Sequence, residues 1–255
     1  MKKGFTLLEL SIVLLIISVL IGGVLLGKSL IVASELQTVM TDLDNYTSAA
    51  VNFKQAYQAL PGDFSDATTN WGTDNNGCPA GGGSSGTCNG DSNGQISNSN
   101  GASKVGETFL FWQHLNKAGM FSKSLSNKAG SGGGYDSTIS VNVPEGSILG
   151  SGFSVKWLGT LSGDSHLFDG FYGNVFQFGG KYSGDMTINP ILTPENAAAI
   201  DTKIDDGSPA TGKVMAYKST STINPNCTTT AVSATAAYNL TNNAPLCSLV
   251  FITGF

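Results

Sequence analysis

Oxygen-bearing side chains at alternate positions mark one segment of this chain as a candidate cation site. Residues 89–96 read NGDSNGQI, so Asn89, Asp91 and Asn93 are each separated by one residue, and Gln95 continues the series. Carboxylate and carbonyl oxygens are the ligands that Ca²⁺ prefers, and a glycine allows the turn that brings them together. The pattern therefore predicts a calcium site at these four residues.

The segment resembles the first half of an EF-hand or dockerin calcium loop and departs from it at the end. The twelfth position is Asn100, where a bidentate acid is expected, and Asp91 is the one charged ligand. We therefore expect low affinity. The alternative is a polar loop rich in turns, with no metal.

A second acidic group ends a predicted helix that begins with Thr193 as N-cap and Pro194 in its first turn. Its carboxylates belong to Asp201, Asp205 and Asp206. Three acids near a helix C-terminus oppose the helix dipole. The sequence therefore predicts compensation by Lys203, by a backbone donor or by a metal such as calcium.

The four cysteines form two pairs by spacing. Cys78 and Cys88 are ten residues apart, and Cys227 and Cys247 are twenty residues apart. In an exported chain such pairs indicate two local disulfides. Zinc binding is the alternative, but no C-x-x-C motif or nearby histidine supports it.

Residues for catalysis are sparse. Ser84 stands in a G-x-S-x-G match at residues 82–86, but the match lies in a low-complexity loop without the strand and helix that a nucleophile elbow needs. His114 and His166 have no convincing nucleophile beside them, and each is interpreted as a packing or surface residue. We expect no catalytic residues and no enzymatic activity.

One further ionisable residue stands where charge is costly. Glu9 lies inside the 22-residue apolar run FTLLELSIVLLIISVLIGGVLL at residues 5–26, which as a helix would be about 33 Å long. That length crosses a bilayer, and a carboxylate in such a segment usually marks a partner or a pathway. The alternative is a lone anchor whose Glu9 extends to the lipid headgroups.

The start of the chain resembles the leader and first helix of type IV pilins and type II secretion pseudopilins. The matching residues are MKKG followed by FTLLELSIVLLIISVLIGG. The resemblance implies cleavage after Gly4 by a prepilin peptidase, N-methylation of Phe5, and a role for Glu9 in assembly. Many pilins have a proline in the middle of this helix, and Gly22 and Gly23 lie in that neighbourhood. We expect flexibility at the pair, with a kink or melted turn on assembly.

The resemblance also implies partners and a location. The partners would be identical or related pilin subunits, the peptidase, an inner-membrane assembly platform, and membrane lipid before assembly. The chain would cross the bacterial inner membrane once with its head in the periplasm, and would then join a periplasmic or extracellular filament. Lys2 and Lys3 precede the apolar run on the side expected to be cytoplasmic.

The remaining pattern predicts an α+β fold. After a leader at 1–4 and a transmembrane and assembly helix at 5–27, an amphipathic half-helix is expected at 28–60 and a head at 61–255. The half-helix carries one apolar stripe: Val32, Leu36, Val39, Leu43, Tyr46, Ala50, Phe53, Tyr57 and Leu60. The same spacing occurs in coiled coils, but the resemblance favours packing against an antiparallel sheet. Pro61 and Gly62 are expected to end the helix.

The head is predicted to contain glycine-rich loops, one more helix and short strands. The helix is expected at Glu107–Lys117. Strands are expected at Ser137–Val143, Phe153–Leu158, Val175–Phe178, Val214–Lys218 and Leu249–Thr253.

Composition limits the function. The formal charge is −5, and loss of Lys2 and Lys3 on processing would make it −7, so a broad nucleic-acid-binding face is not expected. Two functions fit the sequence. The first is a structural filament subunit, and the alternative is a minor pilin that displays an adhesin for a surface, a glycan or DNA.

Overall fold

The computed structural model describes residues 6–74, 87–97 and 105–255. Its helices are α1 (Leu7–Tyr57), α2 (Ala67–Trp71), α3 (Glu107–Lys117) and α4 (Pro194–Ile204), with a short 3₁₀ helix at Ser233–Thr235. Its strands are β1 (Ser151–Leu161), β2 (Gly170–Gly180), β3 (Val214–Ala216) and β4 (Leu249–Ile252).

The four strands form one antiparallel sheet in the order β1-β2-β4-β3. Alternate side chains of β4 point to opposite faces, as strand geometry requires. Leu249 and Phe251 join the core beneath α1, whereas Val250 joins a second cluster on the other face. The predicted α+β class, a long helix with an antiparallel sheet, is confirmed.

The apolar stripe of α1 packs on the head. Val39, Ala50 and Phe53 have no exposed surface. The Tyr46 ring lies edge-on to Phe153 of β1, with ring centroids 5.3 Å apart. Within one chain the stripe is therefore covered by the sheet, and also by α3, whose Trp112 ring centroid lies 5.0 Å from that of Tyr46.

The predicted end of α1 at Leu60 is wrong by three residues. The helix ends at Tyr57, and Gln58 adopts a left-handed conformation with φ of 54° while its N–H donates to the carbonyl of Lys54. Pro61 lacks an N–H and restricts the residue before it, so it prevents the helix from continuing past this point but does not set the residue at which the helix ends. The left-handed residue Gln58 turns the chain out of the helix before Pro61 is reached.

The positions of α3 and α4 agree with the sequence prediction. α3 has the predicted bounds, and α4 begins after Thr193, whose hydroxyl accepts a hydrogen bond from the N–H of Asn196 at 3.2 Å. Four strand predictions overlap β1 to β4, but β1 and β2 are longer than predicted, β3 is two residues shorter and β4 is one residue shorter.

The predicted strand at 137–143 is wrong. Ser140 has φ of 63°, and the N–H of Val141 donates to the carbonyl of Thr138 at 3.0 Å, which makes a turn. The side chain of Asn142 accepts a hydrogen bond from the N–H of Thr138 at 2.6 Å. Local side-chain bonds of this kind compete with sheet pairing.

One predicted disulfide is present. Cys227 and Cys247 are bonded, with Cα atoms 5.0 Å apart, and the bond joins the segment after β3 to the residues before β4. The predicted Cys78–Cys88 pair includes Cys78, which lies outside the described residues.

Candidate functional site: assembly helix and acidic loops

A capping box starts α1. The Thr6 hydroxyl accepts a hydrogen bond from the N–H of Glu9 at 3.3 Å, and the Glu9 carboxylate accepts from the N–H of Thr6 at 2.8 Å. The Thr6 hydroxyl also donates to the same Oε2 atom of Glu9 at 2.9 Å. The spacing T-x-x-E is a recognised sequence signal for a helix start, so this cap can be predicted from the sequence. Glu9 therefore stabilises its own helix in the isolated chain.

The first half of α1 has no cover from the head. Its large apolar side chains from Leu7 to Val24 are 44–87% exposed wherever they are described. By length and composition, α1 is the single helix in the described part of the chain that could cross a membrane. Apolar surface of this extent requires a lipid or protein environment.

The glycine pair lies within unbroken helix. α1 continues through Gly22 and Gly23, and a Cβ atom added at either position would meet nothing within 4 Å. The isolated chain therefore has no kink that breaks the helix at these two glycines. The expectation of a kink on assembly concerns the filament and stays a prediction.

The loop at 89–97 is held by two acids from elsewhere in the chain. Asp63 lies in the turn after α1, and Glu107 is the first residue of α3. One ligand oxygen each of Asp63, Asp91 and Glu107 lies within 4.8 Å of the others. Gly90 passes so close to the backbone of Asp63 that a side chain there would overlap it. This close approach explains why residue 90 is a glycine.

Backbone donors satisfy both buried acids. The Asp63 carboxylate accepts hydrogen bonds from the N–H groups of Asn93 at 2.9 Å and Gly94 at 2.8 Å. The Glu107 carboxylate accepts from the N–H of Asp91 at 3.0 Å and that of Ser97 at 3.0 Å. The two acids therefore fix the path of the loop, whatever else they bind.

Burial makes both carboxyl groups weaker acids. Asp63 is 3% exposed and Glu107 is 4% exposed. Desolvation, which penalises the charged form, raises the pKa of Glu107 to about 7 and also raises the pKa of Asp63. The neighbouring charge of Asp91 acts in the same direction on both. A bound cation would offset this cost.

The predicted calcium ligands do not all converge. The side-chain oxygen of Asn89 accepts a hydrogen bond from the N–H of Thr68 at 2.8 Å, and that of Asn93 accepts from the N–H of Gln95 at 2.7 Å. Asp91 instead lies beside Asp63 and Glu107, two acids outside the predicted loop. Calcium binding by this loop stays a prediction, and the structure places the carboxylates of Asp63 and Glu107 beside Asp91.

The second acidic group surrounds the end of α4. Asp201 has no exposed surface, and its carboxylate accepts hydrogen bonds from the Tyr238 hydroxyl at 2.8 Å and from the N–H of Gly207 at 3.2 Å. Burial raises its pKa to about 7. The Asp205 carboxylate accepts a hydrogen bond from the N–H of Lys213.

Asp206 is also satisfied locally. Its carboxylate accepts hydrogen bonds from the N–H of Ser208 at 2.8 Å and the Thr211 hydroxyl at 2.7 Å. One ligand oxygen each of Asp201, Asp205 and Asp206 lies within 4.8 Å of the others. Of the three predicted forms of compensation, the structure shows backbone donors. Metal binding here stays a prediction.

The two histidines have different surroundings. His114 is fully buried and bonds to backbone on both sides of its ring. His166 Nδ1 lies 3.1 Å from the Ser221 hydroxyl oxygen, but that serine is 1% exposed and also accepts hydrogen bonds from the N–H groups of Ile223 and Asn224. The hydroxyl of Ser221 therefore stabilises a turn and is covered from solvent.

Comparison with known proteins assigns the N-terminal segment. A family model, the prokaryotic N-terminal methylation motif, matches residues 1–25. No curated protein and no solved structure matches the chain. The match covers the predicted leader and most of the apolar run, and it does not extend to the head. Residues 1–25 are therefore a prokaryotic N-terminal methylation motif, the signal of type IV pilins and pseudopilins.

Proposed function

We propose that this chain is a structural subunit of a type IV pilus or a type II secretion pseudopilus. A prepilin peptidase cleaves it after Gly4 and methylates Phe5. Before assembly, the subunit is anchored in the inner membrane with its head in the periplasm. An assembly platform then transfers it into a filament. The methylation motif at residues 1–25 supports the processing steps.

The exposed apolar half of α1 carries this proposal. Its side chains from Leu7 to Val24 lie against no part of the head. Lipid covers this surface before assembly, and the same halves of neighbouring subunits cover it afterwards. Both environments remove the apolar side chains from water, so transfer between them costs little hydrophobic free energy.

Glu9 is proposed to set the stagger between neighbouring helices. Both of its hydrogen bonds use Oε2, and no donor in the described part of the chain reaches Oε1. The free oxygen can accept from the α-amino group that cleavage creates on Phe5 of a neighbour. An ion pair of this kind neutralises both charges in an apolar setting, where a lone charge is costly.

The test compares Glu9→Ala with Thr6→Ala. Either change removes half of the capping box and should cost a similar amount of helix stability, about 1 kcal/mol. Only Glu9→Ala removes the acid, so we expect it to abolish filaments while Thr6→Ala retains them. Filament yield by electron microscopy is the measurement. Normal incorporation of Glu9→Ala subunits would contradict the assembly role.

Processing is tested separately. We expect Gly4→Val to leave the leader on the chain and the methyl group off Phe5, as read by mass spectrometry of the intact protein. Wild-type protein from the same cells should lack residues 1–4 and carry one added methyl group. Recovery of wild-type protein with an intact leader would contradict the processing proposal.

A further inference from the structure

A groove of about 450 Å³ lies where the apolar half of α1 meets the head. It is bounded on one side by Lys28 and Val32 of α1 and on the other by the first turn of α4 and a loop near the C-terminus. Its polar lining includes the side chains of Lys28, Glu195, Asn196 and Asn243. Val32 is also the first stripe residue that packs on the head core.

The groove lies at a defined depth if α1 crosses a bilayer, and in this respect the inference rests on the proposed function. Residues 7–27 of α1 would be about 31 Å long, which matches the hydrocarbon core of a membrane. Lys28 is the first charged side chain after Glu9. The groove therefore opens at the headgroup layer on the side of the head.

Opposite charges line the groove without meeting each other. In the part of the chain that the structure describes, neither Lys28 nor Glu195 has an ion-pair partner within 4.0 Å. The amide side chains of Asn196 and Asn243 make no hydrogen bond with described residues. The groove thus presents one cation, one carboxylate and two amides to a ligand.

We propose that this groove binds the headgroup of a phospholipid that carries a phosphate and a primary ammonium, as phosphatidylethanolamine does. Lys28 pairs with the phosphate, and its aliphatic stem lies along the acyl region. Glu195 accepts hydrogen bonds from the ammonium, and the two amides complete the polar shell. A purely anionic headgroup would place its charge beside Glu195, so the zwitterion fits better.

Binding of this kind gives the lipid a function before assembly. It fixes the depth and the rotation of the subunit in the membrane, because the groove involves both α1 and α4. Release of the headgroup then accompanies extraction into the filament.

The experiment uses the processed full chain in detergent and measures retained lipid by native mass spectrometry. The probes are phosphatidylethanolamine, phosphatidylcholine, which lacks ammonium N–H donors, and phosphatidylglycerol, which is anionic. The groove variants are Lys28→Gln and Glu195→Gln. The matched controls are Lys54→Gln and Asp44→Asn, which remove exposed charges of α1 outside the groove.

We expect each groove variant to retain about fivefold less phosphatidylethanolamine than the wild type, in line with about 1 kcal/mol per charge near a membrane surface. Glu195→Gln should not reduce phosphatidylglycerol retention. The controls should retain lipid as the wild type does. The exchange Lys28→Glu with Glu195→Lys should recover part of the phosphatidylethanolamine retention, which guards against a loss of folding.

Equal lipid retention in the wild type and both groove variants would overturn the proposal. So would a loss of filaments in Lys28→Gln with unchanged lipid retention, since that result would assign the groove to a neighbouring subunit. Flotation with phosphatidylcholine vesicles distinguishes failure of the proposed membrane step from failure of the groove proposal. A wild-type chain that does not float would overturn both. A chain that floats but retains the three lipids equally in the mass spectrometry would overturn the groove alone.

Discussion

His114 connects three segments that are distant in the sequence. Its Nδ1 accepts a hydrogen bond from the N–H of Gly62 at 2.9 Å, so its Nε2 carries the proton and donates to the carbonyl of Cys88 at 2.9 Å. Burial lowers the pKa of the ring to about 4. The neutral ring therefore ties the turn after α1 to α3 and to the start of the 87–97 segment.

This geometry predicts the effect of His114→Phe. The change keeps an aromatic ring but leaves a buried N–H and a buried carbonyl without partners, which should cost about 2–4 kcal/mol of unfolding free energy. Urea unfolding of the full chain in detergent is the measurement. His166→Phe, at a half-buried ring with one side-chain partner, should cost less. Equal midpoints for His114→Phe and the wild type would contradict the role of the ring.

Glu107 predicts how stability depends on pH. Its pKa rises from an ordinary 4.5 to about 7 in the folded chain, so between these values the folded state binds more protons than the unfolded state. Stability from this group is therefore full below about pH 4.5 and is lost as the pH rises to 7. Asp201, with a folded pKa of about 7, acts in the same direction.

His114 opposes this trend only in part. Its lowered pKa means that the unfolded state binds the extra proton, so its contribution is lost as the pH falls from 6.5 to about 4. With two acids against one histidine, we expect the unfolding free energy to rise as the pH falls from 7 to about 5. Glu107→Gln should reduce this slope by at most about 1.4 kcal/mol per pH unit. The exposed Glu145→Gln serves as control, and an unchanged slope in Glu107→Gln would count against the assignment.

At the scale of elements, α1 is one helix with two environments. Its second half could be predicted because the stripe repeats every three or four residues and the core covers that stripe.

The strand centres could be predicted from their apolar residues, but the strand ends could not. β1 and β2 continue through Gly159 and Gly173, which have positive φ and lie at an irregular part of the pairing. Glycine has low β-propensity, so its sequence signal is misleading here.

The acidic group around the 89–97 loop could not be predicted as a set. Asp63, Asp91 and Glu107 come from a turn, a loop and a helix start, and only the fold brings their oxygens within 4.8 Å. Sequence spacing is informative about ligands within one loop. It has no information about ligands that arrive from two other segments.

This convergence sharpens the calcium prediction. We expect calcium to bind the loop with millimolar affinity, as in weak extracellular sites, and to raise the midpoint of thermal unfolding. Asp91→Asn should weaken the heat measured by calorimetric titration, whereas Asp206→Asn at the other acidic group should not. Absence of heat at millimolar calcium for the wild type would remove this loop as a calcium site.

The glycine pair of α1 makes a prediction for the filament. Gly22→Ala and Gly23→Ala are sterically free in the subunit, and each should favour helix by about 1 kcal/mol. If assembly needs a kink or melted turn there, the double variant should form fewer filaments. Gly27→Ala is the matched control, because a Cβ atom there also meets nothing within 4 Å. Cryo-EM of wild-type filaments with unbroken helix through residues 22–23 would contradict the expectation.

On the scale of the whole molecule, apolar surface divides the chain into two parts. The head has apolar clusters on both faces of its sheet, and the second half of α1 belongs to one of them. The side chains of α1 that the structure describes before Lys28 belong to neither. The head therefore does not need residues before Lys28 for its core, although it needs the stripe from Val32 onward.

This division predicts the behaviour of two truncated chains. A chain of residues 28–255 should be soluble without detergent and should unfold with the same urea midpoint as the full chain, because no core side chain is lost. It should fail to float with vesicles. A chain of residues 61–255 should aggregate, since removal of the stripe uncovers the apolar face formed by residues such as Trp112, Phe176 and Phe251. Size-exclusion chromatography separates the outcomes. Aggregation of the 28–255 chain would show that the apolar half of α1 also shields the head, and solubility of the 61–255 chain would show that the stripe is not part of the core.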